Sequence, residues 1–327
     1  MKNSILFPRT PISLDDVEII VLTYNRSAML REQLLSLVNQ TVEVARISVI
    51  DNGSTDDTAL VVKNFSREYP FVCYRPTEVH YSNNVRTLEF SQKIAAAKYV
   101  AVFHDDDIVH PQFMEYALRA INSYDDVVIV SGDMEKTYNP TGNDMKVQLF
   151  RPLVWRGGDA VVNQLIYQRL SFPCCVYRTD VYKAVRFDSE KYGKICDHPF
   201  LFEVSSKGTS VFLRGSFIRY RIHRGSGTNN AADPITAENV LNVIRSAKEL
   251  LSAEKLSVRV VAPYILHKFA HNLINWASGT IHCDTLRLLC DGGVISRRAC
   301  KLLENRIYRR CIKHIVKWMK KRISRGE

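Results

Sequence analysis

The chain has 327 residues, of which 46% are hydrophobic and 24% are charged. These are ordinary values for globular proteins, so disorder is not expected, and the length predicts two units rather than one small core. No apolar run approaches the ~18 residues of a membrane-spanning helix. Pro8, Pro11 and Asp15 interrupt the place where a signal peptide would be apolar, so we expect a cytosolic protein.

The formal net charge of +11 is concentrated at one end of the chain. Residues 301–327 contain ten Lys and Arg against two Glu, which supplies +8 of the +11. The rest of the chain is close to balanced. The eight cysteines are scattered and show no metal-binding spacing, so we expect reduced thiols.

The first half of the chain alternates strand and helix patterns. The pattern predicts strands over Val17–Thr23, Arg46–Ile50, Phe71–Arg75 and Tyr99–Phe103, and helices over Ser27–Asn39, Thr55–Phe65 and Thr87–Ala97. Such alternation predicts an α/β fold with a Rossmann-like, mostly parallel sheet and helices on both of its faces.

The pattern becomes helical from Glu238 onward. Residues Gly225–Pro234 are rich in turn formers and predict a domain boundary. We therefore expect a larger α/β domain over residues 1–225 and a helical C-terminal region over residues 226–327.

Polar clusters follow three of the predicted strands. They are Thr23-Tyr24-Asn25-Arg26, Asp51 to Asp56, and His104-Asp105-Asp106-Asp107. Ligands of parallel sheets bind beyond the carboxyl ends of the strands, so these clusters are the candidate site. Three successive carboxylates repel one another unless a cation joins them, and their oxygens suit Mg²⁺ or Mn²⁺. The alternative is a solvated acidic loop.

Val17–Arg26, Asp51–Asp57 and Tyr99–Pro111 together resemble the family 2 glycosyltransferases of the GT-A fold. Those enzymes have a strand ending in T-Y/F-N-R, a D-x-G-S-x-D turn and a D-x-D motif followed by proline. The resemblance covers about residues 15–225, with a nucleotide-sugar half over about 15–111 and an acceptor half over about 112–225. It implies inverting transfer of a hexose or N-acetylhexosamine from a UDP-sugar to a hydroxyl of a glycan or lipid-linked acceptor, in bacterial surface-polysaccharide synthesis.

The resemblance also assigns roles to the polar clusters. Asp51 would read the nucleotide base, and the residues bordering the nucleotide would be Thr23, Asn25 and Arg26. The metal motif has two registers, because counting back from Pro111 selects His104 and Asp106, whereas the letters select Asp105-Asp106-Asp107. In either register Asp106 or Asp107 is expected to touch Mn²⁺ or Mg²⁺, and Asp105 to lie near the ribose.

Asp197 precedes a helical stretch that ends at Lys207-Gly208. In the family an acidic residue at the head of such a helix is the general base, which takes the proton of the acceptor hydroxyl during inverting attack. The alternative for Asp197 is a helix cap.

Two further segments match the family. Tyr220–Ser226 resembles its Y-R-x-H-x-x-S run, which implies that His223 approaches the metal and that Arg221 approaches the pyrophosphate. The segment around Tyr177 would line the acceptor side, where Tyr177 and Trp155 are either sugar-stacking platforms or core residues.

The basic C-terminal segment shows apolar residues every four positions from Leu303. Such a helix can lie on an anionic membrane surface at the inner face of the cell membrane, pack on preceding helices or pair with another subunit. Two other functions stay open at this stage, a metal-dependent nucleotidyltransferase and a basic nucleic-acid-binding protein. No nucleic-acid motif supports the latter, so we expect no nucleic-acid partner.

Overall fold

The computed structural model describes residues 16–78, 80–81, 84–138, 145, 151–172, 174–223, 235–252, 256–276, 285–304, 313 and 316–317. The strands in chain order are β1 (Val17–Thr23), β2 (Arg46–Asp51), β3 (Val72–Pro76), β4 (Tyr99–His104), β5 (Ile108–Val109), β6 (Val127–Thr137), β7 (Leu153–Arg156), β8 (Cys175–Arg178) and β9 (Thr209–Arg221). The helices are α1 (Ser27–Val38), α2 (Thr58–Glu68), α3 (Asn84–Ile94), α4 (Phe113–Ser123), α5 (Gly158–Tyr167), α6 (Thr179–Ala184), α7 (Ser189–Tyr192), α8 (Asp197–Ser206), α9 (Ala237–Ser252), α10 (Leu256–Trp276), α11 (Thr285–Asp291) and α12 (Arg297–Glu304).

The predicted alternation of strands and helices is confirmed, and the largest differences are at helix ends. Helix α2 begins at Thr58 rather than at the predicted Thr55. The reason is local, because Asp56 Oδ1 accepts hydrogen bonds from the Thr58 backbone N at 3.0 Å and from its hydroxyl at 2.5 Å. A carboxylate that satisfies the first free N–H groups sets where a helix starts.

The chain divides into two compact units, each built from separated segments. The first comprises Met1–Pro152, Leu170–Arg186 and Thr209–Arg224, and the second comprises Leu153–Arg169, Phe187–Gly208 and Gly225–Glu327. The last of these division points falls between Arg224 and Gly225. Two segments inside residues 1–225 group instead with the C-terminal helices.

The sheet of the first unit has the strand order β3-β2-β1-β4-β8-β6-β9-β5. Strands β3, β2, β1 and β4 are parallel, whereas β8 is antiparallel to both of its neighbours. Thr23 pairs with Asp51, and Leu22 pairs with His104. The carboxyl ends of these parallel strands therefore meet at one edge of the sheet, where the three polar clusters begin.

Strand β1 lies inside the parallel half of the sheet and contributes to the core of the first unit. Its residues Ile19, Ile20 and Val21 are 0% exposed. Helix α1 contributes Leu30 and Leu34, which are also 0% exposed and recur at helical spacing. Each such side chain contributes about 1.5–3 kcal/mol when fully buried, and a strand covered on both faces is continuously apolar for this reason.

The second unit is helical. Helix α5 packs on α8, α9 and α10, and α9 also packs on α10. Phe187 and Phe200 stack with ring centroids 4.0 Å apart. The predicted change to a helical pattern from Glu238 is confirmed by α9 to α12, whereas the boundary segment Gly225–Pro234 lies outside the described residues.

No described helix combines the length and the apolar character needed to cross a bilayer. The cysteines in the described part, Cys73, Cys174, Cys175, Cys196, Cys290 and Cys300, are all free thiols, as expected.

Candidate functional site

Hydrogen bonds join the loops after β1 and β2 at the carboxyl edge of the sheet. The backbone N of Asn25 donates to Ser54 Oγ at 2.8 Å, and Asn25 Oδ1 accepts from the Thr55 backbone N at 2.7 Å. Asn25 has φ +50°, a left-handed conformation that Asn tolerates better than most residues. Gly53 has φ +79°, and a Cβ placed there would lie 3.3 Å from His80 Cβ. The predicted nucleotide residue Asn25 thus shapes the loop with its own side chain.

Asp51, the predicted base-reading residue, ends β2 and is 1% exposed. Its Oδ1 accepts from the Ser54 backbone N at 2.8 Å, and its Oδ2 accepts from Tyr74 Oη at 2.6 Å. Burial and this hydrogen bond raise the pKa of Tyr74, which keeps its hydroxyl a donor. The motif residue Tyr24, which follows Thr23, the strand partner of Asp51, is 41% exposed, and its ring stacks on His80 with centroids 4.4 Å apart.

Sequence reasoning missed Tyr74. Val49 pairs with Tyr74 and Asp51 pairs with Pro76, so Tyr74 is the diagonal neighbour of Asp51 on the same face of the sheet. The signal in the sequence was a tyrosine within a predicted strand, but its partner could be found only once the register was known.

Asp105 is 1% exposed and joins the acidic turn to the loop after β1. Its Oδ2 accepts from Thr23 Oγ1 at 2.7 Å, and its Oδ1 accepts from Arg26 Nη1 at 2.9 Å. Burial raises the pKa of Asp105 above its usual value, and the Arg26 charge opposes that rise. The predicted residues Thr23, Arg26 and Asp105 are therefore in direct contact.

Asp106 is the carboxylate on which two basic groups converge. Its Oδ2 lies 2.9 Å from Arg26 Nη1 and 3.0 Å from His223 Nε2. Burial raises the pKa of Asp106, but the charges and hydrogen bonds of its neighbours, with His104 foremost, bring it below its ordinary value. The structure thus brings together Asp106 and His223, which the sequence had separated by more than a hundred residues.

Asp107, the other predicted metal ligand, is 0% exposed and has different partners. Its Oδ1 accepts from the Arg221 backbone N at 3.4 Å, and its Oδ2 accepts from Cys174 Sγ at 3.8 Å. Burial, followed by the charge of Asp106, raises the pKa of Asp107 above its usual range. Among the described residues, no three His, Cys, Asp or Glu side chains are grouped so as to hold a metal ion by themselves.

The side chain of Arg221 is 4% exposed and points its nitrogens into the protein. Its Nε donates to the backbone oxygen of Asp106, its Nη1 donates to Glu32 Oε2 at 2.5 Å and its Nη2 donates to the backbone oxygen of Met29 at 3.2 Å. The sequence predicts this arginine near the pyrophosphate, whereas these contacts hold its guanidinium among groups of the chain itself.

Asp197 lies in the second unit, as the first residue of α8. The cap position is Cys196, and no side-chain hydrogen bond caps the helix. Within the described part of the chain the Asp197 carboxylate has no hydrogen bond or ion pair, so the helix-cap alternative is not what the structure shows. The neighbouring His198 packs edge-on against Phe269, with ring centroids 5.5 Å apart.

The two aromatic candidates for sugar stacking are core residues. Tyr177 in β8 is 0% exposed, and Trp155 in β7 is 4% exposed. Tyr177 packs against Tyr182, with ring centroids 5.1 Å apart. The platform interpretation is therefore wrong for the conformation described, and the core alternative is correct, because neither ring offers an open face.

Comparisons with known proteins identify the class of enzyme. The model of glycosyl transferase family 2 matches residues 18–186, which include the loop after β1 and the acidic turn. The chain belongs to this family and is a glycosyltransferase. The nucleotidyltransferase and nucleic-acid-binding alternatives are therefore set aside.

Similar proteins agree with this assignment. An uncharacterized glycosyltransferase of Haemophilus influenzae is 23% identical over 236 residues, which are 68% of this chain and 73% of that protein. The crystal structure of S. aureus TarS 1–349 in complex with UDP-GlcNAc matches with a TM-score of 0.67 and 17% identity, covering 95% of this chain and 92% of that one. The match spans only 50% of a longer TarS structure. This likeness shows a shared GT-A fold.

Proposed function

We propose that this glycosyltransferase moves a hexose or N-acetylhexosamine, with inversion, from a UDP-sugar to a hydroxyl of a glycan or lipid-linked acceptor. The observation that carries the proposal is the convergence of Asp106, His223 and Arg26 at the carboxyl edge of the sheet. Two metal-binding groups and an arginine at one point suit a diphosphate held with a divalent cation.

The base side of the site supports uridine as the nucleoside. Asp51 ends β2 opposite Thr23, one residue before the half-exposed Tyr24, and a carboxylate accepts well from the imide N–H of uracil. A carboxylate oxygen has two lone pairs, so the hydrogen bond from Tyr74 leaves room for a second donor. The similarity to the fold of TarS, crystallised with UDP-GlcNAc, makes UDP-GlcNAc the first donor to test.

The residues present fit a cation of the Mn²⁺ or Mg²⁺ type. Asp106 Oδ2 and His223 Nε2 are 3.0 Å apart. Two donors at right angles on a cation with bonds of ~2.1 Å are separated by ~3.0 Å, so the pair has the spacing of two adjacent ligands. Such ions bind through few protein groups together with substrate phosphates, which agrees with the lack of a third ligand among the described residues. When bound, the cation would neutralise the charge that develops on the departing diphosphate.

Asp197 is our candidate for the general base. Its carboxylate is not engaged by other described groups, so it is free to accept a proton. In the transfer the acceptor oxygen forms a bond to the anomeric carbon, its proton goes to Asp197, and the bond to the diphosphate breaks with its electron pair leaving on UDP. Arg26, 25% exposed, is the cation placed to hold that diphosphate.

The test is release of UDP from a panel of nucleotide sugars, beginning with UDP-GlcNAc, with and without Mn²⁺. We expect Asp106→Asn to lose the response to Mn²⁺ and Asp197→Asn to bind donor but lose transfer. Asp133→Asn, an exposed aspartate on β6, is the matched control. The proposal is wrong if the wild-type protein neither binds UDP in calorimetry nor releases it from any donor, with or without the metal.

Bacterial surface-polysaccharide synthesis at the inner face of the membrane is the setting we propose. The high density of Lys and Arg over residues 301–327 supports attraction to anionic lipid. Most of the segment on which this rests, residues 305–327, lies outside the described residues.

A further inference from the structure

We propose that Arg221 is a positioning residue, held by Glu32, which fixes the acidic turn Asp105–Asp107 and His223 in the geometry that a cation needs. This inference rests on the proposed function and reassigns Arg221 from a diphosphate contact to a support of the site.

The guanidinium of Arg221 joins separate parts of the fold. Its Nε donates to the backbone oxygen of Asp106, while Nη2 donates to the Met29 backbone oxygen at 3.2 Å in the first turn of α1. Its Nη1 forms an ion pair of 2.5 Å with Glu32, one turn further along α1. The guanidinium of Arg is rigid and planar and carries several donors. It therefore fixes the relative positions of its acceptors better than the flexible ammonium of Lys does.

The backbone of the same residue holds the other side of the turn. Arg221 N donates to Asp107 Oδ1 at 3.4 Å, and the next backbone N, that of Ile222, donates to the Thr137 oxygen at 2.9 Å. His223 is the residue after Ile222, so these two backbone hydrogen bonds restrict the position of its imidazole at the end of β9. Both members of the Asp106–His223 pair are thereby tied to Arg221.

Burial argues against direct contact between Arg221 and the diphosphate. The Arg221 side chain is 4% exposed, and each of its three side-chain nitrogens already has an acceptor. Turning it toward a ligand would leave two backbone oxygens without this donor, and an unpaired buried acceptor is costly. Glu32, in contrast, has a side chain that is 50% exposed. Its substitution therefore weakens the hold on Arg221 without changing a residue of the Asp106–His223 pair.

The experiment uses Glu32→Gln in the full chain, with Mn²⁺ and UDP as probes. Free Mn²⁺ is measured by electron paramagnetic resonance in the presence of UDP, and UDP affinity without metal is measured by calorimetry. Replacement of the charge-assisted hydrogen bond to Arg221 by a weaker, neutral one is expected to weaken Mn²⁺ binding about tenfold. UDP affinity without metal should stay within about twofold of wild type, a small change on this scale.

A contact role for Arg221 makes the opposite prediction. Released from Glu32, the guanidinium would be freer to bind phosphate, so Glu32→Gln would tighten UDP binding without metal. That result, or unchanged Mn²⁺ binding, overturns the proposal. Glu238→Gln, which removes an exposed ion pair with Arg245 in the second unit, is the matched control and should alter neither affinity.

A second measurement needs no ligand. In hydrogen–deuterium exchange of the free protein, Arg221→Lys and Glu32→Gln should both speed exchange in peptides that cover Asp105–Asp107, because Arg221 then holds the turn less firmly. Unchanged exchange in Glu32→Gln contradicts the positioning role even if Arg221→Lys fails to fold. A wild-type protein that binds neither UDP nor Mn²⁺–UDP would instead refute the proposed function itself.

Discussion

Tyr74→Phe is the most informative single change at the base side of the site. Tyr74 Oη donates to Asp51 Oδ2 at 2.6 Å, and Asp51 is 1% exposed. The other oxygen of this carboxylate accepts from the Ser54 backbone N at 2.8 Å. Phenylalanine keeps the ring and removes one of two donors that orient a buried charge.

The size of the effect follows from that burial. A hydrogen bond to a charged group contributes about 1.5–3 kcal/mol, so we expect the free energy of unfolding to fall by about 2 kcal/mol. The Asp51 carboxylate then loses its fixed orientation toward the base, and UDP affinity should fall about tenfold, equivalent to ~1.4 kcal/mol. Urea unfolding and calorimetric titration with UDP measure the two quantities. Tyr138→Phe, at a tyrosine that is 81% exposed, should change neither.

A modified nucleotide distinguishes a loss of base recognition by Asp51 from a general loss of protein stability. N3-methyl-UDP lacks the imide N–H, so the wild-type protein should prefer UDP over it, and Tyr74→Phe should reduce that preference. A variant that is less stable but retains both the affinity for UDP and the preference over N3-methyl-UDP refutes the argument that Tyr74 orients Asp51 for the base.

Three further predictions concern the loops and the C-terminal segment. Gly53→Ala should lower the free energy of unfolding by about 1–2 kcal/mol, because Gly53 has φ +79° and a Cβ there would lie 3.3 Å from His80 Cβ. The folded state lowers the pKa of Asp56 through its hydrogen bonds, which outweigh the opposing effect of burial. Asp56 therefore stabilises the fold above its unfolded pKa of about 3.9 and loses this effect as the pH falls through the lower folded value, so Asp56→Asn should flatten the acid limb of thermal unfolding curves measured across pH. Deleting Arg306–Glu327 should abolish flotation with phosphatidylglycerol vesicles, and unchanged flotation would contradict membrane attachment through this segment.

The parts of the site that follow from strand order could be predicted from the sequence. Thr23, Arg26 and Asp105 follow or end parallel strands, and parallel strands bring their carboxyl ends together whatever the details of packing. The contact of Thr23 and Arg26 with Asp105 is of this kind.

Other parts depend on distances that no linear pattern contains. The role of Tyr74 needs the register of β3 on β2, and the inward path of Arg221 needs the position of α1 relative to the end of β9. The burial of Tyr177 is similar, because an aromatic residue in a strand has the same sequence pattern whether its ring faces a sugar or the core. The free carboxylate of Asp197 could be recognised only by finding no partner for it in the described part of the chain.

The interleaving of the two units has a consequence for how the protein is made. Helices α5 and α8 are synthesised early, but their apolar sides, with Val161 and Phe200 almost fully covered in the finished fold, pack on α9 and α10, which emerge from the ribosome later. A nascent chain of about 225 residues therefore exposes the apolar surfaces of these helices that α9 and α10 later cover. A fragment cut at this point should bind chaperones and precipitate, and restoring the later helices on a separate polypeptide should rescue its solubility.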